Sequence, residues 1–394
     1  YQRVSDSYDT PLNAMDGMAS YAELERDTLH WARVQQDWVF RPTQPTQRLV
    51  CKRFAHMHLV LGGRWLLTNA EDLCLDFYDL DSLNIQRRTL IRSQDKRDER
   101  VRIFVVDEAR TTPSNVDMQI ALSHEAIHDP FVRLSIWRIT SAPDDTLIAH
   151  HITSFNTYTT GICFEMGLLG DYLVRCPHPA DDAPRHIDVY DWQRSSSLVH
   201  HKATIVIGPQ VVANVRILPR QQILAFKKDI VQIYAIDASE FRPTSGKRPV
   251  NGAPTMPLHT IILPGMNPYS LCPIQVDLLG NASMYLDCAR AMVKLTIPYD
   301  DRPPTVVDYL TYNTDSTWTR VLTSHRAYFR RGTTGRAVLL ARGYDERCNQ
   351  IWEVEGRNYD RGPLLDDYSG RIVERARMNF ETVVFLRSYD STCA

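Results

Sequence analysis

The stretch SHEAIHDPFVRLSIWRIT, residues 123–140, admits two readings, and the choice between them decides the fold. His124, Glu125 and His128 stand in the H-E-x-x-H order with which a helix holds zinc. That chemistry needs a helix, because only there do residues four apart share a face, with the glutamate set to polarise the metal-bound water. The surroundings point to a strand instead. MQIAL before the motif alternates as a strand does, and FVRLSIWRI after it resumes the alternation. Between them stands Asp129–Pro130, and proline drives the residue before it out of the helical region. A zinc peptidase would also need a third ligand. His150, His151 and Glu165 are the nearest downstream, and none sits in a recognisable ligand-bearing helix. The stretch therefore reads as one strand leaving, a turn, and a second strand returning.

Its closing phrase recurs. LDFYDLDS (75–82), LSIWRITS (134–141), IDVYDWQRS (187–195), VQIYAIDAS (231–239) and a degenerate VVFLRSYDS (383–391) each run apolar residues through an aromatic or aliphatic pair into a polar turn. Tyr78, Trp137, Tyr190 and Tyr234 take equivalent places. Upstream of each lies a second apolar strand, in 62–72, 116–128, 167–176 and 216–229. Further units are expected around 280–297, 335–354 and 366–386, with RLVCKRFA (48–55) available to complete the last sheet against the C-terminal strands. The shorter spacings fall near the ~40–50 residues of one four-stranded propeller blade. The fold class expected is all-β, a six- or seven-bladed β-propeller of WD-repeat-like type, over residues 46–394; stacked sandwiches would give the same periodicity. The inserts 140–147, 177–185 and 242–254 carry Pro, Gly and Asp and read as rim loops.

The first forty residues differ. Ser20-Tyr21-Ala22-Glu23 forms a capping box, and Leu24, Trp31, Val34 and Trp38 follow at helical spacing, so an amphipathic helix is expected over 20–38 within a helical segment, 1–45.

The whole chain is ordinary in composition, with 43% hydrophobic and 23% charged residues, as in a folded globular protein. A formal net charge of −2 gives no global field toward nucleic acid or an anionic membrane, and no apolar run approaches the ~18 residues that span a bilayer. Eight scattered cysteines without a C-x-x-C pair favour a reducing, intracellular setting, cytoplasmic or nuclear.

SYAELERDTLHWARVQQDWV (20–39), LGGRWLLTNAEDLCLDFYDLDS (61–82), IDVYDWQRSSSLVHHKATI (187–205) and DDYSGRIVERA (366–376) together make the chain similar to the fungal F-box proteins of basidiomycetes. In that family an F-box is followed by a helical segment and a WD-repeat-like propeller. The F-box helices themselves are not in these residues, and the Gly-His and Trp-Asp dipeptides of standard WD repeats are missing. The resemblance implies a non-catalytic role: recognition of a protein substrate for a cullin-type ubiquitin ligase, with a Skp-type adaptor engaged through an F-box upstream of Tyr1. The rival readings are a propeller-fold hydrolase or zinc metalloprotease using His124, Glu125 and His128, and a general scaffold unrelated to ubiquitin.

No cofactor is expected. The chain holds no G-x-G-x-x-G, Walker or G-x-S-x-G motif. His150–His151 and His200–His201 are adjacent pairs whose side chains, on a strand, point to opposite faces, one buried or paired and the other solvated. Asp144–Asp145, Asp181–Asp182, Asp300–Asp301 and Asp366–Asp367 sit beside proline or turn residues, as solvated loop tips do. The clearest partner-binding feature is SHRAYFRRGTTGRAVLLARG (324–343), which gathers Arg326, Arg330, Arg331, Arg336 and Arg342 with Tyr328 and Phe329. It reads as a rim loop able to meet an acidic or phosphorylated stretch.

Overall fold

The structure, a computed structural model, describes residues 47–387 with breaks at 52–53, 71–73, 93–98, 113–114, 127–130, 145, 159–160, 180–184, 209, 245–252, 268–273, 278, 289–290, 312–317, 323–325, 332–335, 342–349, 356–363, 366–370 and 379–380. The expected helix over 20–38, like the whole segment 1–45, lies outside the described residues.

Among the described residues the strands form seven antiparallel sheets. The chain starts on β1 (Gln47–Cys51), which belongs to the last of them. The first sheet holds β2 (Phe54–Leu59), β3 (Trp65–Ala70), β4 (Leu75–Asp79) and β5 (Arg87–Ile91), and the second β6 (Glu99–Asp107), β7 (Asp117–Ala126), β8 (Phe131–Ser141) and β9 (Leu147–Tyr158). The third is β10 (Gly161–Leu169), β11 (Tyr172–Pro179), β12 (Arg185–Asp191) and β13 (His200–Gly208), the fourth β14 (Val212–Leu218), β15 (Gln222–Lys227) and β16 (Ile230–Ala235). The next strand, β17 (Arg242–Thr244), turns back to widen the third sheet, and β18 (His259–Ile262) completes the fourth. The fifth is β19 (Gln275–Val276), β20 (Ala282–Asp287), β21 (Ala291–Ile297) and β22 (Thr305–Thr311); the sixth is β23 (Trp318–Leu322), β24 (Arg326–Arg331), β25 (Arg336–Ala341) and β26 (Gln350–Glu355). In the seventh, β27 (Leu364–Leu365), β28 (Ile372–Met378) and β29 (Glu381–Arg387) are completed by β1.

Sequence order equals spatial order in most sheets, so each is an up-and-down meander made by local turns. The core lies between sheets. Phe77 and Leu67 pack with Phe104, Met118 and Leu122 between the first and second; Leu134 and Phe155 with Leu173 and Tyr190 between the second and third. Ile187 and Ile205 meet Val215 and Ile223 between the third and fourth, and Phe226 and Ile233 meet Met284 and Leu295 between the fourth and fifth. Leu59, Leu66 and Tyr78 pack on Val373 of the seventh sheet. Sheets that pack face to face in sequence, the last returning to the first, make a β-propeller.

The seam is made by β1, whose Gln47, Leu49 and Cys51 pair with Leu386, Val384 and Thr382 of β29. The expected closure by 48–55 is thus seen, with its boundary at Cys51. Arg371 reinforces it, donating from Nη1 to Gly63 O at 2.6 Å and from Nη2 to Asp81 Oδ1 at 2.8 Å across the same junction.

The repeated phrases of the sequence prove to be middle strands. In the first five sheets and in the seventh, the upstream apolar segments supply the second strand and the closing phrases or their counterparts the third. A middle strand is covered on both faces, and β4 and β12 are accordingly almost wholly buried rather than buried on alternate residues. Two loop expectations are corrected. The start of the 242–254 insert forms β17, because Arg242 and Thr244 pair with Lys202 and His200 on the otherwise open edge of β13. The arginine-rich stretch is likewise not a rim loop: β24 and β25 are the two central strands of the sixth sheet, with Ala327 opposite Leu340.

Candidate interaction surface

His124 and Glu125 lie in β7, where their backbones pair with Arg133 and Val132 of β8. The helix that the zinc reading requires is replaced here by extended chain, which corrects that alternative; His128 lies outside the described residues. The His124 side chain is buried, and its Nε2 shares a hydrogen bond of 2.9 Å with Ser135 Oγ. Burial lowers this imidazole from its ordinary 6.5 to about 3, with the neighbouring Arg133 charge acting in the same direction. The unfolded chain takes up a proton near pH 6.5 that the folded chain refuses until about pH 3. The group's contribution to stability is therefore whole above that window and is lost on acidification through it. His124→Gln is expected to flatten the fall of the urea midpoint across this window; a slope equal to wild type would assign the acid sensitivity elsewhere.

The aligned aromatics belong to a repeated device. Tyr78, Trp137, Tyr190 and Tyr234 each follow a polar residue by two, namely Asp76, Ser135, Asp188 and Gln232. These lie opposite Thr89, Ser154, Thr204 and Thr260 on the fourth strands. Trp137 Nε1 donates to Ser135 Oγ at 3.0 Å, Tyr190 Oη to Asp188 Oδ2 at 3.3 Å and Tyr234 Oη to Gln232 Oε1 at 2.8 Å. Each of the four aromatic rings fills the space between sheets, and in Trp137, Tyr190 and Tyr234 the polar atom satisfies the side chain two residues before it.

The third sheet carries the most highly charged version. Asp188 is buried with Lys202 Nζ at 3.1 Å and a hydrogen bond of 2.9 Å from Thr204 Oγ1. Burial alone would push this carboxyl up, but the Lys202 and His186 charges and the hydrogen bonds from Lys202 and Thr204 hold it below the ordinary carboxylate value. Arg175, fully buried on β11, pairs its backbone with Asp188 and lies within the field of Asp188 and Tyr190. In the first sheet Asp76 accepts from Arg87 at 2.8 Å and Thr89 at 3.0 Å.

The histidine pairs differ from one another. His200 is buried against Phe155 and Tyr190, and His201 is half-buried, as the alternation predicts. His150 and His151 are both exposed on β9, the outer strand of the second sheet, paired in regular register with Arg138 and Trp137; just beyond them a bulge sets Thr153 opposite Ile136 and leaves Ile152 as an extra residue. Among the described residues no group of three His, Cys, Asp or Glu side chains could hold a metal. Asp144, Asp300 and Asp301 are exposed at turns; Asp145, Asp181, Asp182, Asp366 and Asp367 lie outside the described residues. Of the arginine segment, Arg326, Tyr328, Arg330 and Arg331 fall on β24 and Arg336 on β25, whereas Arg342 lies outside the described residues.

In an up-and-down sheet the turns after the first and third strands lie at the same end, and here those turns are stitched together. Leu61 N donates to Glu108 Oε1 at 2.9 Å between the first and second sheets, and Gly170 N to Asp107 Oδ2 at 2.8 Å between the second and third. Arg220, on the first turn of the fourth sheet, stacks over the Tyr299 ring of the fifth at 4.6 Å. This end also presents apolar side chains to solvent. Leu83 is 102% exposed, Leu198 81% and Leu279 76%, each at the tip of one of these turns. Turn tips ordinarily carry small or polar residues. The sequence reading missed these leucines, since a single leucine in a polar turn carries no periodic signal.

No protein-family model matches the chain, and no curated protein matches it. Among solved structures the β-propeller domain of Cps50 (Swd1) from Myceliophteria thermophila is similar to it, with a TM-score of 0.52 at 10% identity, covering 88% of this chain and 99% of that one. A protein of unknown function from Desulfotomaculum acetoxidans DSM 771 matches with a TM-score of 0.42 at 12% identity, over 84% of this chain and 90% of that one. The likeness to the Cps50 domain is one of fold.

Proposed function

We propose that this chain is a non-catalytic protein-interaction module, the substrate-recognition part of an F-box adaptor in a cullin-type ubiquitin ligase. The observation that carries the first half is the end of the propeller bearing Leu83, Leu198 and Leu279: exposed apolar anchors on turns tied down by hydrogen bonds, from Arg371 to Asp81, from Thr153 to Ser195 O and from Leu279 N to Asp277 Oδ1. Binding residues on loops fixed by a rigid scaffold are a common arrangement for recognition. The polar groups beneath the aromatics support the same reading, since buried Asp188 and Ser135 and half-buried Gln232 are bound to neighbours on their own strands, and Asp188 also to Thr204 on the next. The second half is supported by the sequence likeness in 20–39, 61–82, 187–205 and 366–376. On this reading the hairpin of β24 and β25, with its arginines, contacts an acidic or phosphorylated part of the substrate.

The test joins the gene segment upstream of Tyr1 to the chain and co-expresses the product with a Skp-type adaptor. Co-elution at equal stoichiometry is expected. Separate elution, or an upstream segment without an F-box, would remove the ligase role and leave the interaction module.

A further inference from the structure

The outer strands of the sheets differ in how their free edges are guarded. An unguarded edge offers unpaired backbone N–H and C=O groups to any extended chain. In the first sheet β5 presents exposed Arg87 and Arg88. In the second, the extra residue Ile152 interrupts β9, and Thr153 Oγ1 donates to Ser195 O of the next sheet. In the third, β13 is covered by β17, and in the fourth β18 alternates half-buried His259 and Ile261 with exposed Thr260 and Ile262. In the fifth sheet the first four residues of β22 carry no basic side chain, bulge or covering strand among the described residues. Thr305, Val306, Val307 and Asp308 of β22 are all exposed, Val307 at 62%, and no described strand pairs with their outer side.

We propose that this edge, Thr305–Asp308, is a docking site at which an extended segment of a protein partner, basic and rich in β-branched residues, adds as a further strand. The proposal rests on the interaction-module reading above and names the chemistry of one partner. The fold itself supplies the precedent: β17 is a three-residue strand that comes from beyond the fourth sheet's first three strands to pair antiparallel with the outer edge of β13. The charge around β22 selects the occupant. Residues 300–308 carry Asp300, Asp301 and Asp308 against a single Arg302. Arg302 is already bound to Asp300 at 2.7 Å, and Asp301 is fully exposed, 3.9 Å from Arg220. A strand running beside Val306 and Val307 therefore meets carboxylates that favour lysine or arginine.

The edge is also short. Pro303–Pro304 precede it, and beyond it Val293 pairs with Asp308 while Met292 pairs with Leu310, so that Tyr309 is an extra residue that breaks the row. Four residues extend only ~13 Å. Edge-to-edge pairing over that length falls far below the roughly 1,200–2,000 Å² of a stable protein interface, which argues for a peptide segment and against a second copy of the chain.

The probe is a fluorescein-labelled KVTVTVK peptide, titrated with the chain and read by anisotropy. Saturable binding that weakens with added salt is expected, together with slowed amide exchange confined to 305–308. The double variant Val306→Lys, Val307→Lys and the single variant Asp308→Lys replace exposed side chains, so melting temperatures should match wild type. Each should lose about tenfold or more in affinity. Peptide KVTPTVK, lacking the central N–H, should bind more weakly still. Absence of saturable binding, or equal affinity for wild type and both variants, would overturn the assignment. If the F-box-bearing chain still co-elutes with the Skp-type adaptor in that case, the edge proposal alone falls.

Discussion

Asp188→Ala is expected to lower the unfolding free energy by about 3–5 kcal/mol, the usual cost of leaving a buried charge without its partner. The carboxylate is the acceptor for Lys202, Thr204 and Tyr190 together, and the nearby Arg175 guanidinium is fully buried. Removing it takes away the carboxylate whose charge acts on both Lys202 and the buried Arg175 guanidinium. The Lys202 side chain is only 17% exposed and cannot turn freely to water. Asp76→Ala should cost less, since Arg87, its partner in the first sheet, is 34% exposed and can recover solvent. Urea midpoints of the two variants measure the difference. Equal, small shifts would show that the third-sheet network does not support the fold. Asp188 also binds its proton more weakly in the folded than in the unfolded chain, so its contribution is present above the ordinary carboxylate value of 3.8 and lost on acidification below it. The variant should lack that part of the acid transition.

Deleting Gln47–Cys51 is expected to have a comparable effect by a different route. Five residues of β1 pair with β29, and net hydrogen-bond contributions of ~0.5–1.5 kcal/mol each place the loss at roughly 3–7 kcal/mol. The deletion also opens the edge of β29, which invites intermolecular pairing. A lower midpoint and light-scattering growth at room temperature are the expected readings. A monomer with an unchanged midpoint would mean that the Arg371 contacts and the Val373 packing close the ring without the strand.

Much of this architecture is legible in the sequence because burial on both faces writes a continuous apolar run. The middle strands β4, β8, β12 and β16 stand out for that reason, and their aromatics align in the sequence alone. First and fourth strands are harder to see. RRTLI of β5, HTII of β18 and TVVDYLT of β22 are short or exposed, and QV of β19 carries no pattern at all. The arginines of β24 disguise a central strand as a loop, since charge in a sequence is read as solvent exposure. The Asp188 network escaped for another reason. Asp76 meets Thr89 thirteen residues on and Asp188 meets Thr204 after sixteen, so variable turns hide a constant geometry.

By itself the sequence determined the strand-forming character of 123–140, the repeated unit and the means of closing the ring, all consequences of where apolar residues recur. Only the tertiary structure decided that His124 is a buried hydrogen-bonded group, that β17 guards one sheet edge while no described strand covers that of β22, and that three exposed leucines share an end of the propeller. Those properties depend on which segments come to lie beside one another, and side-chain periodicity along a single strand carries no record of its neighbours.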